Sequence, residues 1–489
     1  MHRWAAGALA FVTAGSVLVM EIVASRLLAP YVGVTLQTYT AIIGVVLAGI
    51  SGGTWLGGRI ADRFDPGWLL GPVLIAGGSL VMASSPALHL VATVSGDGGA
   101  AGAVVLAGAA FLLPAAVLSM VSPILVKLSL RDLDHTGREV GRISALGTAG
   151  AIVGTFVSGF LLVATLASTV ILVGVGVFLV TLGLVVWALL RRNGARLPVA
   201  ALVMAVGAGA AVPTFRSHCD VETAYFCARV DNDDATVAGG RVLWLDTLAH
   251  SYVVLGDDRA LEFDYTQIIG AVTDAWWPPG TPIRAIHLGG GGFTMPRYVR
   301  STRPGSVNLV LERDPELTRL AQRQLGLRLG NGLTAMAGDG RVTMRRQSKG
   351  DWDVVVGDAF SGEAVPWHLA TKEFTAVIAD RLRSNGAYVL NVIDGPPRKF
   401  VRAEVATVAA VFAHVAVIAP KDALDGGYGS NFIVVASREP LAVDRISARL
   451  NGVGQRVTVL TGPALKVWLG QAKVLTDRFA PVDQLLTPG

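Results

Sequence analysis

Charge is scarce in this sequence: Asp, Glu, Lys and Arg make up 16 % of 489 residues, against 52 % for hydrophobic residues. The shortage is uneven. Up to Pro213 there are 11 Lys plus Arg and 7 Asp plus Glu; the remainder holds 30 and 29. A second half so evenly balanced gives no electrostatic case for binding nucleic acid. Only 2 cysteines and 8 histidines occur, and none falls in a metal-ligand spacing with its neighbours, so no metal is expected. At this length one compact domain is also excluded, and at least two units are expected.

Long apolar runs fill the first half. Seven can each cross a hydrocarbon core of about 30 Å, near 4–29, 38–60, 67–93, 101–130, 143–165, 168–190 and 197–214. The first is too long, and lacks a plausible cleavage site, for a removed signal peptide. Arg3, Arg59, Arg63, Lys127, Arg131, Arg138, Arg142, Arg191, Arg192 and Arg196 flank alternate ends of these runs, and VGVTLQ, SGDGG and the turn near Ala167 carry no Lys or Arg. By the positive-inside rule the amino terminus is cytoplasmic, and seven crossings put everything after about residue 215 outside. Cys219 and Cys227 share the window RSHCDVETAYFC just past the seventh run. On the outer side such a pair is usually oxidised; the alternative is two unrelated buried thiols. Glu21, with Arg26 five positions on, reads as a functional group in a span or as an internal ion pair near the outer rim. Gly147, Gly150 and Gly154 are ordinary helix-packing residues. GGRIADR, Gly57 to Arg63, resembles a loop of major-facilitator transporters, but seven spans are too few for that fold.

The second half has a different rhythm. After the β-rich segments AYFCARV, RVLWLD and SYVVL, strands and amphipathic helices alternate from Leu261. That pattern predicts a parallel sheet covered on both faces. Its ligand lies beyond the carboxyl ends of the strands. Four features fall at successive strand ends: the glycines Gly289, Gly290 and Gly291 of AIHLGGGGFT, then Glu312, then Asp339 with Gly340, then Asp358. A glycine turn lets backbone N–H groups approach a polar tail, and an acid about twenty residues on can accept ribose hydroxyls. GGGGFT lacks the third glycine of the dinucleotide fingerprint. Alone, these elements suit NAD, a flavin or S-adenosylmethionine equally, and each acid has an alternative reading as a helix cap or solvated loop residue.

From about Glu222 to Ala436 the segments ETAYFCARV, LWLDTLAHS, LEFDYTQI, HLGGGGFTMPRYV, LERDPEL, GDGR, VVVGDAFSGEAVPWHLATKEF and YGSNFIVVAS resemble the spermidine synthases, the polyamine aminopropyltransferases. With the preceding spans, the whole chain resembles their membrane-fused bacterial relatives. The resemblance implies a multi-pass helical membrane domain over 1–215, a small β-rich part over 216–262, a Rossmann-like methyltransferase-type domain over 263–440, and a tail over 441–489 with no assigned role. It places ribose binding on Glu312, adenine contact on Asp339 and Gly340, the proton-accepting acid on Asp358, and a substrate-lining tyrosine on Tyr265. Departures stand at Phe226, Thr266 and Gly292, where the family has Gln, Gln and Asp, and at Ser361, which replaces the second acid of its D-x-x-D motif; Glu363 is a possible replacement for that charge. The expected activity is aminopropyl transfer from decarboxylated S-adenosylmethionine, or S-adenosylmethionine, to a diamine such as putrescine. The alternative is a non-catalytic nucleoside- or polyamine-binding module coupled to a transporter-like membrane half. The expected partners are that nucleoside donor, a polyamine, the lipid bilayer and, by family habit, further copies of the chain; no tightly bound cofactor is expected. His287 reads as packed in the fold and His368 as a cap or surface group.

Overall fold

The computed structural model describes residues 3–33, 36–92, 99–130, 136–190, 219–360, 362 and 364–487. The expected seventh span, Ser361 and Glu363 lie outside the described residues. The chain forms two compact units, Met1–Cys227 and Ala228–Gly489.

Among the described residues of the first unit, six helices are long and apolar enough to cross a membrane: α1 Trp4–Val32, α2 Gln37–Arg63, α3 Pro66–Ala92, α4 Ala101–Ser129, α5 Thr136–Thr165 and α6 Ser168–Leu190. Small residues set their packing, because apolar side chains gain little by leaving lipid for one another. A Cβ on Gly15 of α1 would stand 2.9 Å from the Gly150 carbonyl oxygen of α5, and one on Gly78 of α3 would stand 2.6 Å from that of Gly176 on α6. Helix α5 begins at Thr136, upstream of the apolar run expected from 143. Its polar first turns hold together by a 2.7 Å ion pair between Glu139 and Arg142, one helical turn apart.

The last residues of this unit return to a definite end of the bundle. The Glu222 carboxylate accepts from the Ser168 amide at 2.7 Å, at the start of α6. Arg26, near the end of α1, donates to the Val163 carbonyl at 2.9 Å and to the Thr223 carbonyl. Cys219 and Cys227 are joined as a disulfide with Cα atoms 5.2 Å apart.

The second unit opens with an antiparallel meander, β1 Cys227–Asn232, β2 Gly240–Leu245 and β3 Leu248–Val254. Its register slips between Leu243 and Trp244: Leu243 faces Ser251 but Trp244 faces Ala249, leaving His250 as the extra residue of a bulge. Helix α7, Asp264–Trp276, leads into the main sheet. That sheet contains β4 Arg284–Leu288, β5 Val307–Glu312, β6 Leu333–Ala337, β7 Trp352–Gly357, β8 Leu382–Asp394, β9 His414–Ala419, β10 Ser430–Ser437 and β11 Thr458–Thr461. The strands stand in the order β11-β9-β10-β8-β7-β4-β5-β6. From β8 to β6 every pairing is parallel, whereas β8–β10, β10–β9 and β9–β11 are antiparallel. Fully buried runs such as WDVVVG suit a sheet with both faces covered. Apolar cores lie on its two sides, one around Ile286, Val355 and Phe374, the other around Ile269, Val354 and Val389.

Strand order matters for function. Because β7, β4, β5 and β6 are neighbours and parallel, the residues after each of them share one edge of the sheet.

Candidate active site

The glycine turn leaves β4 at Leu288. Gly289 adopts φ +87°, and a Cβ there would run into the Asp358 carbonyl, so the turn sits directly against the end of β7. The Gly289 amide donates to the Leu311 carbonyl at 3.0 Å and the Asp358 amide to the Leu288 carbonyl at 2.9 Å. These bonds tie the ends of β4, β5 and β7 together.

Glu312 ends β5. One of its oxygens accepts from the Gly290 amide at 2.7 Å, the other from the Asp314 amide at 2.8 Å. Burial raises its pKa, and these amides oppose the rise by stabilising the anion. Asp339 caps α8, Gly340–Arg345, where one oxygen accepts from the Arg341 and Val342 amides at 3.0 Å each. Its other oxygen lies 2.8 Å from His368 Nε2. Burial acts to raise its pKa, but the Val342 amide, His368 and the Arg341 amide prevail and lower it.

Asp358 follows β7 and is set apart by its surroundings. It receives the Asn391 side-chain amide at 2.9 Å. Burial pushes it up to about 6, against the pull of Asn391 and the Tyr265 hydroxyl. Tyr265, on α7, also reaches the His250 carbonyl at 3.3 Å, and burial together with the Asp358 charge raises its pKa.

Two cavities meet at this carboxyl group. One, of about 410 Å³, is lined by residues that include His250, Glu262, Asp264, Phe360, Asn391 and Asn431. The other is a recess of about 20 Å³ under the glycine turn, reached by Gly289, Gly290, Ser251, Thr266, His287 and Thr294. Tyr265 and Asp358 line both. In the larger cavity the buried atoms His250 Nε2, Asn391 Oδ1 and Asn431 Oδ1 have no hydrogen-bond partner among the described residues. Burial holds His250 down to about 4, so its ring is neutral near pH 7.

The sequence-marked residues therefore fall into place as follows. Gly289, Gly290, Gly291 and Glu312 form one hydrogen-bonded group, Asp339 and Gly340 start the next helix along the edge, and Asp358 with Tyr265 faces the cavities. His287 is packed as expected, with Nε2 3.2 Å from Asn308 Oδ1. His368 is more than a surface group, since it holds Asp339. At the departure Gly292, the amide donates to Ser251 Oγ at 2.9 Å. A Cβ there would stand 2.8 Å from the Ser251 Cβ, so the space an aspartate would need is filled. Sequence reading missed His250, Asn391, Asn431, Arg341 and Asp477. Of these, His250, Arg341 and Asn431 lie inside quoted motifs, LWLDTLAHS, GDGR and YGSNFIVVAS.

A glycine turn and strand-end acids on a parallel edge define a Rossmann-like domain of the methyltransferase type. No family model matches the chain. A polyamine aminopropyltransferase of Vibrio vulnificus (strain CMCP6) is 27 % identical over 213 residues, 42 % of this chain and 70 % of that protein. Among solved structures, a probable spermidine synthase from Corynebacterium glutamicum is 28 % identical, covering 52 % of this chain and 94 % of its own, with a TM-score of 0.49. The spermidine synthase of Thermotoga maritima is 18 % identical, over 43 % of this chain and 70 % of its own, with a TM-score of 0.33. Over 213 residues the chain is thus similar to a polyamine aminopropyltransferase, a likeness that supports an enzyme of that type.

Proposed function

We propose that the chain is a membrane-bound, spermidine synthase-like aminopropyltransferase that moves a propylamine group from decarboxylated S-adenosylmethionine to a diamine such as putrescine. The amine nitrogen bonds to the carbon beside the sulfonium. The carbon–sulfur bond breaks with its electron pair going to sulfur, and a neutral thioether leaves. The ammonium proton passes to Asp358. An alkyl ammonium titrates near about 10.4 and a free aspartate near about 3.9. Raising Asp358 to about 6 narrows that gap and makes it a better proton acceptor.

The observation that carries this reading is the position of Asp358 at the junction of the two cavities. A donor lying over the glycine turn and an amine in the larger cavity would meet there, and positioning supplies much of such a rate gain. The larger cavity suits an amine, since its orphaned amide oxygens want N–H donors and the carboxylates of Glu262 and Asp264 line it. Glu312, the glycine turn and Asp339 would take the nucleoside.

We place the α/β unit outside the cytoplasm. Residues 222–223 sit at the end of the bundle formed by the end of α1 and the start of α6, the end whose loops lack Lys and Arg. A disulfide beside them fits an oxidising compartment. The filled space at Gly292 supports a second reading, a binding module without turnover, because no carboxylate there can hold the donor's amino group.

One experiment separates the readings. Purified full-length protein is incubated with decarboxylated S-adenosylmethionine and a panel of amines, and 5′-methylthioadenosine is measured. Formation with wild type and its loss in Asp358→Asn supports transfer. No product with any amine, alongside calorimetric binding of the nucleoside, supports the binding module.

A further inference from the structure

The tail beyond the family resemblance is not idle. Its Leu475 carbonyl accepts from the Lys372 amide at 2.9 Å. The Asp477 amide donates to the Glu373 carboxylate at 3.0 Å. The Asp477 carboxylate grips the Arg341 guanidinium with both oxygens, one of the bonds at 2.7 Å, and accepts from Thr371 Oγ1 at 2.8 Å. Arg341 Nη1 also donates to the His368 carbonyl at 3.1 Å. His368 in turn lies 2.8 Å from the Asp339 oxygen not used for capping. The chain of contacts thus runs from the tail through one buried arginine to the Asp339 carboxylate.

Geometry makes this more than local stitching. A two-pronged arginine–carboxylate pair fixes orientation as well as distance. Thr371 caps α9, Lys372–Arg381, by accepting from the Phe374 amide at 3.3 Å, and the same hydroxyl donates to Asp477. The turn holding His368 is thereby pinned on one side by a helix start and on the other by Arg341. Without Asp477, Arg341 would be left 11 % exposed with no carboxylate partner, and its grip on the His368 carbonyl would loosen.

We infer that Asp477 is a positioning residue for the nucleoside side of the site: through Arg341 it holds the turn that sets the His368 ring on Asp339. This rests on the reading of Asp339 as a nucleoside contact. Asp477 touches no substrate in this scheme.

The test uses the full chain in lipid nanodiscs, with 5′-methylthioadenosine as calorimetric probe and selective ¹⁵N-histidine labelling to read the His368 ring. In Asp477→Asn, affinity is expected to fall about tenfold, the scale of one charge-assisted hydrogen bond weakened indirectly. The kcat at saturating donor stays within about twofold, Asp477→Glu recovers most of the affinity, and the His368 resonances move from a held tautomer to an averaged one. Wild-type affinity in Asp477→Asn overturns the inference, and so does reduced affinity with His368 unmoved. If wild type binds no 5′-methylthioadenosine, the nucleoside reading fails. The His368 resonances then decide the positioning role by themselves: moved in Asp477→Asn sustains it, unmoved overturns it.

Discussion

Two parts of the sheet edge set their acids among very different neighbours. At Glu312 and Asp339 each carboxylate is already engaged, by main-chain amides and, at Asp339, by His368. Around Asp358, which accepts from Asn391, the buried Asn391 Oδ1 and Asn431 Oδ1 have no donor among the described residues, and His250 Nε2 has no partner there either. The first part is shaped by its own hydrogen bonds, so the proposed nucleoside would find a preformed mould. The second is short of donors, so the proposed amine would have to bring them. Buried acceptors left open cost stability of roughly 1–3 kcal/mol each, a cost that a cationic amine would relieve on binding. Preorganisation and unmet demand thus divide the site between them.

Breaking the second part has the largest expected effect. Asp358→Asn removes the proton acceptor and is expected to lower kcat by about 10²–10⁴-fold. The affinity for 5′-methylthioadenosine should be kept; a loss of both would mean that the two parts are one. Next comes the first part. Glu312→Gln removes the charge that holds the Gly290 and Asp314 amides and is expected to weaken nucleoside binding about 10- to 100-fold. Amine KM should be unaffected, as initial rates over both substrates would show. Asn431→Leu deletes an orphaned acceptor. It should raise the melting temperature of the empty protein while raising the amine KM about tenfold, opposite signs that only an acceptor awaiting a ligand would give.

The smallest effects concern pH. With Asp358 at about 6, kcat/KM should fall with unit slope below that pH, since only the anion accepts a proton. For stability the sign is reversed from that of a salt-bridged acid. The folded state holds this proton more tightly than the unfolded state, so stability falls as pH rises from about 4 to about 6 and is level beyond. Because the carboxyl group opens to a cavity, the change should be about 1–3 kcal/mol. Asp358→Asn should erase it in melting curves taken across that range.

Much of the ligand edge was legible because parallel strands place their carboxyl ends together, so order along the chain becomes order in space. Gly289, Glu312, Asp339 and Asp358 follow that rule. His368 and Asp477 do not: 29 residues separate His368 from its partner Asp339, and 136 separate Asp477 from Arg341. Contacts of that range depend on packing, which leaves no local periodicity. Asn431 was hidden for a related reason, since β10 is antiparallel to β8 and brings Ser430 and Asn431 back beside Asp394 and Ile393. Among the spans, α5 started earlier than its apolar run because Glu139 and Arg142 satisfy one another in a turn that hydropathy alone reads as a loop.

The bulge at His250 has one more consequence. In a regular strand, residues 250 and 251 point to opposite faces by alternation alone. Here the imidazole reaches the wide chamber and the next hydroxyl reaches the narrow recess, with the surplus residue setting the phase. Deleting that single residue would shift the phase of the partition between the two compartments, so the length of one short ribbon governs which side chain each compartment meets.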